Sequence, residues 1–216
     1  MARITILGGT GYAGGAIARE AARRGHQVTA VSRSAATEPV AGVDYVRGDA
    51  QDAAVLEAAF AEADVVVCAL APRGELAGDG AFEKVTDELA GRALATGTRL
   101  GVVGGAGSLL VSPTGPRLFD TDDFPAEYQA EARTMGAVLE ALRATPEDLD
   151  WFYVSPAAFF GAHAPGEATG TFRLGDDQLL VDGEGNSAIS GADFAAAFVD
   201  EIDAPAHRRR RFTVAY

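Results

Sequence analysis

Two textures alternate along this chain. Short, β-branched runs occur at Ile4–Leu7, Gln27–Val31, Asp44–Arg47, Asp64–Leu70, Arg99–Val103 and Trp151–Val154, and longer Ala-rich segments separate them. That alternation predicts βαβ units around a parallel sheet, a doubly wound α/β fold of the Rossmann kind. Helices are expected at about 12–24, 52–62, 80–96, 126–144 and 191–202, with a last strand at Arg211–Ala215. Gly25 supplies a stop for the first helix, and Ser190-Gly191-Ala192-Asp193 opens the last with capping chemistry.

The stretch 161–189 breaks the pattern. It is rich in Gly, with short strand-like runs at Thr171–Leu174 and Gln178–Val181 and turn signals at Gly175-Asp176 and Asp182-Gly183. It is expected to form a small β-rich cap over the carboxyl ends of the strands. Residues 1–216 then form one domain, a size that a single α/β sheet can organise.

Composition narrows the class of partner. A formal charge of −13, from 18 Lys+Arg against 31 Asp+Glu, opposes binding to nucleic acid or to an anionic membrane surface. Cys68 is the only cysteine and lies in an apolar run, so it reads as a small core residue rather than half of a disulfide. The chain enters its first strand at once, leaving no room for a signal peptide, and no apolar run reaches the ~20 residues of a membrane span. A cytoplasmic protein with a small-molecule partner is expected, as a monomer or small homo-oligomer, without a metal. Four consecutive arginines, Arg208–Arg211, read as a solvated face or as partners for local acids, with a phosphate site as the alternative.

The chemistry begins at Gly8-Gly9-Thr10-Gly11-Tyr12-Ala13-Gly14, which follows a strand and opens a helix. Gly8 permits a tight turn, Gly11 lets backbone approach a diphosphate, and Gly14 allows close packing of helix on strand. The amides around Tyr12 and Ala13 would hold the anion at the positive end of the helix. The second strand then selects the dinucleotide. It ends Val31-Ser32-Arg33-Ser34 without an acid, where an NAD site would place a carboxylate for the ribose hydroxyls. Arg33 instead offers a guanidinium to a 2′-phosphate, with Thr10 and Ser32 adding hydroxyls, so NADP(H) is expected over NAD(H). Further along, Asp49-Ala50 reaches the adenine side, with Asp49 either facing the base or capping the next helix. Leu70-Ala71-Pro72-Arg73 follows the fourth strand and should pass the middle of the cofactor.

These motifs, together with Gly104-Gly105-Ala106-Gly107-Ser108-Leu109 and Leu149–Pro156, resemble the NADH-flavin reductase group of atypical short-chain dehydrogenases. Phe172–Gly175, Ile189-Ser190 with Asp193, and Arg211–Val214 extend the resemblance essentially from end to end. The same pattern is similar to biliverdin-IXβ/flavin reductases and to redox-sensing regulators. The resemblance implies that Gly104–Ser108 and Ser155–Ala158 flank the nicotinamide, with Gly104, Gly105, Ser155 and Pro156 as cofactor residues, and that Ser108 could hydrogen-bond a substrate.

Ordinary members of the wider superfamily protonate a carbonyl product with a Tyr made acidic by a Lys four residues on. Here the one lysine is Lys84, and Tyr128 is followed four residues later by Ala132. Ser108 and Tyr153 remain as donors, with Tyr153 reading as packing and Ser108 either as a turn residue or as a substrate contact. Transfer of hydride to a flavin tolerates the missing pair, because the reduced ring is delocalised and collects protons from solvent. Phe119, Phe159 and Phe160 are candidates for an apolar wall beside such a ring. The expectation is an NADPH-dependent reductase of flavins or similar conjugated acceptors. A redox sensor without turnover and a carbonyl reductase or epimerase stand as alternatives.

Overall fold

The computed structural model describes residues 1–78 and 80–216. Eight strands form one sheet: β1 (Arg3–Leu7), β2 (Gln27–Ser32), β3 (Val43–Arg47), β4 (Val65–Cys68), β5 (Arg99–Val103), β6 (Trp151–Ser155), β7 (Arg173–Gly175) and β8 (Arg210–Ala215). Their spatial order is β3-β2-β1-β4-β5-β6-β8-β7, parallel except for β7, which runs antiparallel to β8. The order reverses between β1 and β4, which places the ligand crevice of an open α/β sheet above the carboxyl end of β1.

Two apolar layers hold helices to the sheet, because successive side chains of a strand point to opposite faces. On one face Ile4, Ile6, Val65, Val67, Phe152 and Val154 meet α1 (Tyr12–Arg23) and α5 (Gly191–Asp203) through Ile17, Phe194 and Phe198. On the other, Leu7, Val66, Cys68, Leu100, Val102 and Trp151 pack under α2 (Ala53–Ala61), α3 (Ala81–Thr96) and α4 (Gln129–Arg143). Coverage on both faces explains why β4, and β5 beyond its first residue Arg99, are apolar without a polar alternate. Burial pushes the Cys68 thiol up to about 11, consistent with a packing role.

Local chemistry sets the helix ends. Asp52 caps α2 by accepting from the Ala54 amide at 2.9 Å, and Ser190 caps α5 by accepting from the Asp193 amide at 3.1 Å. Gly25, at φ +83°, lets the chain turn after α1. The helix expected at 126–144 is divided into a 3₁₀ turn, Ala126–Tyr128, and α4.

The stretch 161–189 is less of a β cap than its sequence suggests. Its one strand, β7, extends the sheet edge, with Arg173 opposite Ala215 and Gly175 opposite Thr213. The strand expected at Gln178–Val181 is not formed. Gln178 instead makes an isolated bridge to Leu110, because the chain folds back where Asp177 is tied to Arg211 and Arg143. The earlier part does lie at the carboxyl edge, where the Tyr12 hydroxyl donates to the Pro165 carbonyl at 3.1 Å. Among the described residues, no helix is long and apolar enough to cross a membrane.

Candidate functional site

The phosphate loop is built by exclusion of side chains. Gly8 adopts φ +85°, and its amide and that of Gly9 both donate to the Val31 carbonyl, at 2.9 and 3.3 Å, locking the turn to β2. A Cβ on Gly14 would lie 2.3 Å from the Gly8 carbonyl oxygen, and one on Gly8 would lie 2.6 Å from that of Ala69. The start of α1 therefore sits directly on the turn. Gly9 has the same constraint, since its Cβ would meet that of Ala30 at 2.6 Å. Sequence reasoning did not single Gly9 out.

Gly11 is the N-cap of α1, with no side chain to cap it and no acidic residue in the first turn. The amides of Tyr12, Ala13 and Gly14 have no backbone or side-chain acceptor among the described residues, as the geometry of a helix start dictates. Thr10 is half-buried and Gly11 exposed beside them. Open amides at a positive helix end, in a cradle that a Cβ would fill, fit the diphosphate of a nicotinamide dinucleotide.

On the adenosine side, Ser32 closes β2 and its hydroxyl donates to the Ser34 carbonyl at 2.7 Å. Arg33 is exposed and forms an ion pair with Glu75, in the 3₁₀ turn Gly74–Leu76 that follows β4. Asp49 does not cap α2, a role taken by Asp52. Its carboxylate accepts from the Gln51 amide at 2.9 Å in a local turn. Ala50 is buried against Leu7 and Val31 in the second apolar layer, whereas Leu70 and Ala71 are half-buried after β4. Arg73 grips Glu131 of α4 through two hydrogen bonds, at 2.6 and 3.0 Å, so the loop after β4 is anchored in both directions.

At the other end of the crevice the structure brings Gly104, Gly105, Ser155 and Pro156 together. Ser155, fully buried, donates its hydroxyl to the Gly105 carbonyl at 3.0 Å. Tyr153 lies beneath them, donating to the Met135 carbonyl at 3.1 Å and accepting from the Gly105 amide at 3.2 Å. Fully buried and bonded on both sides within the protein, it braces the two strand ends, and burial pushes its phenol up to about 12. Gly104 has to be glycine here, since a Cβ would fall 2.0 Å from the Tyr153 ring.

Ser108 is placed differently from the substrate contact that the resemblance implies. It is buried, and its Oγ accepts from Arg211 at 2.8 Å inside the protein. Arg211 is itself buried and paired with Asp177. Burial pushes its guanidinium down from the usual arginine range, against the opposing pull of that carboxylate. The neighbouring arginines also have interior or local partners: Arg208 with Asp150, and Arg209 with the carbonyls of Thr145, Pro146 and Leu149. Lys84 is exposed on α3, and Tyr128 is exposed at the N-terminus of α4.

The three candidate rings separate clearly. Phe119 is buried under α4, and Phe160 packs between Tyr12 (edge-on) and Phe194 (tilted) at centroid distances of 5.2 and 4.5 Å. Phe159 remains 59% exposed. Its backbone is nevertheless held on both sides, its amide donating to the Ser187 carbonyl and its carbonyl accepting from the Ile189 amide.

Comparison with known proteins agrees with this geometry. The profile of a family described as NAD(P)H-binding matches residues 8–205. The uncharacterized protein YwnB of Bacillus subtilis is 39% identical over 98% of this chain and 97% of its own length. Among solved structures, a provisionally named exported protein from Burkholderia pseudomallei is 43% identical with a TM-score of 0.86, each chain being covered in full. A provisionally named NADH-flavin reductase from Streptococcus pneumoniae is 32% identical with a TM-score of 0.85, over 100% of this chain and 99% of that one.

Proposed function

This chain belongs to the NAD(P)H-binding family, and from that premise we propose that it is an NADPH-dependent reductase of flavins or similarly conjugated acceptors. The observation that carries the reading is the open start of α1, where helix amides have no acceptor within the protein. Two features support the choice of acceptor: the loop after β6 carries an exposed Phe159 on a pinned backbone, and Ala132, not a lysine, stands four residues after Tyr128. The Streptococcus pneumoniae relative, by its name, acts on flavin.

When bound, the nicotinamide supplies a hydride. The residues of this chain bind and orient. The amides of Tyr12, Ala13 and Gly14 would hold the diphosphate, with Gly8 and Gly11 keeping the approach free of side chains. Thr10, Ser32 and Arg33 would face the adenosine ribose and its 2′-phosphate, Asp49 and Ala50 would lie on the adenine side, and Leu70 and Ala71 would pass the middle of the cofactor. Gly104, Gly105, Ser155 and Pro156 shape the floor at the nicotinamide end, stiffened from below by Tyr153 and Ser155. Phe159 gives a flat acceptor a face to stack on, so that reaction is favoured by proximity and orientation. Ser108, turned inward to Arg211, places the loop after β5 rather than touching the acceptor. No protein acid is required where protons reach a delocalised product from solvent.

The test is oxidation of NADPH followed by absorbance with FMN or riboflavin as acceptor. Turnover is expected, and Phe159→Ala should raise the flavin KM about five- to tenfold while NADPH affinity stays within about twofold. Tight NADPH binding with no oxidation across a panel of flavins and other conjugated acceptors would instead make the chain a nicotinamide-sensing module.

A further inference from the structure

The most telling feature outside the phosphate loop is an ion pair that crosses the crevice. Arg33 stands at the carboxyl end of β2 and Glu75 in the turn after β4, the two strands that flank β1. The pair therefore passes over the adenosine half of the groove, above the point where Gly8 begins the phosphate loop. Both side chains are exposed, 54% and 68%, so neither has been buried to make the bond. Exposed pairs of this kind are held weakly and are screened by salt. Their partners are exchangeable.

We propose that Glu75 determines cofactor selectivity by competing with the adenosine 2′-phosphate for Arg33. The inference rests on the NADPH reading above. In the free protein Glu75 occupies the guanidinium. A dianionic phosphoryl group is the stronger partner for that fork, and on binding it displaces the carboxylate. NADH brings only a ribose hydroxyl to the same place and leaves the Arg33–Glu75 pair intact. Glu75 thus lowers the affinity for NADPH without touching the diphosphate grip that both cofactors share. Its position also explains the second anchor on the same loop. Arg73, two residues earlier, is fixed to Glu131, so the loop keeps its place when Glu75 lets go. Glu75 acts through Arg33 and is a positioning residue.

The experiment is titration of the full chain with NADPH and with NADH, followed by nicotinamide fluorescence, for wild type, Glu75→Gln, Arg33→Ala and the double variant. Glu75→Gln should tighten NADPH about two- to fivefold, leave NADH within about 1.5-fold, and lose its advantage at high salt. In the Arg33→Ala background the same substitution should change nothing, because the competitor has lost its object. A Glu75→Gln variant with unchanged or weaker NADPH binding, or one that keeps its gain without Arg33, overturns the inference. Arg33→Ala that weakens both cofactors equally overturns the NADPH reading itself, a separate outcome.

Discussion

The two edges of the sheet treat charge in opposite ways. At the amino edge, Glu201 is buried with Arg99 at 2.5 Å and His207 at 2.7 Å, and Asp150 joins Arg99 and Arg208 alongside. A few residues away Arg24 gathers Glu20, Asp200 and Asp203. Each of these charges has a partner within the protein. At the carboxyl edge the donors at the start of α1 are open, and two exposed loop arginines, Arg33 and Arg73, pair with Glu75 and with Glu131 of α4. The difference cautions against reading function from perturbed ionisation. Burial works to raise the Glu201 carboxyl, yet Arg99 and the amides of Ala206 and His207 overcome it and hold it below the usual range. That group sits on the side away from the crevice and serves the fold. At the carboxyl side, by contrast, Arg33 is held only by an exposed, exchangeable pair beside open helix amides.

The comparison breaks first, and hardest, at the amino edge. Arg99→Met strands a buried carboxylate and should cost about 3–5 kcal/mol in urea unfolding while leaving the NADPH Kd of the folded protein unchanged. A shifted Kd would show that the two edges are coupled. Acid should act on the same edge in wild type. Glu20 is lowered to about 2, chiefly by its hydrogen bond with Arg23, and Glu201 is also depressed. The stability that these carboxylates confer is complete above the ordinary carboxylate range and is lost as pH falls through their folded values, below about 4.5.

A substitution at the other edge should reverse the balance. In Gly14→Ala the new methyl collides with the Gly8 carbonyl, so NADPH affinity should fall at least about tenfold, with a stability loss of only about 1–3 kcal/mol. Normal affinity would mean that the turn is not the cradle. The smallest effect belongs to Ser108→Ala. Arg211 loses one buried acceptor, so about 1–2 kcal/mol of stability should go with no change in flavin KM or turnover. Lost turnover at wild-type stability would return Ser108 to the acceptor site.

Much of this was legible along the chain, for identifiable reasons. The helix start at Tyr12 and the caps at Ser190 and Gly25 depend on neighbours a few residues away, while β1 and the turn at Gly8 are marked by period and glycine even though their partners are remote; each is where the pattern puts it. The same holds for Gly14, whose contact is with Gly8 six positions back. Gln178–Val181 misled because a short apolar run fits a strand or a strand-like loop equally well. The choice was made by Asp177, held by arginines from α4 and β8.

What the sequence determined alone, then, is the alternation that builds the sheet and the glycine turn that leaves amides open, since both follow from local sterics and period. What only the tertiary structure decided is the orientation of side chains with remote partners. Arg33 meets Glu75 across 42 residues and Ser108 meets Arg211 across 103. Nothing nearby in the chain marks either partner. Whether a hydroxyl faces a ligand or the interior, and whether a guanidinium is free or held, is settled when distant elements pack and the competing charges are brought within reach.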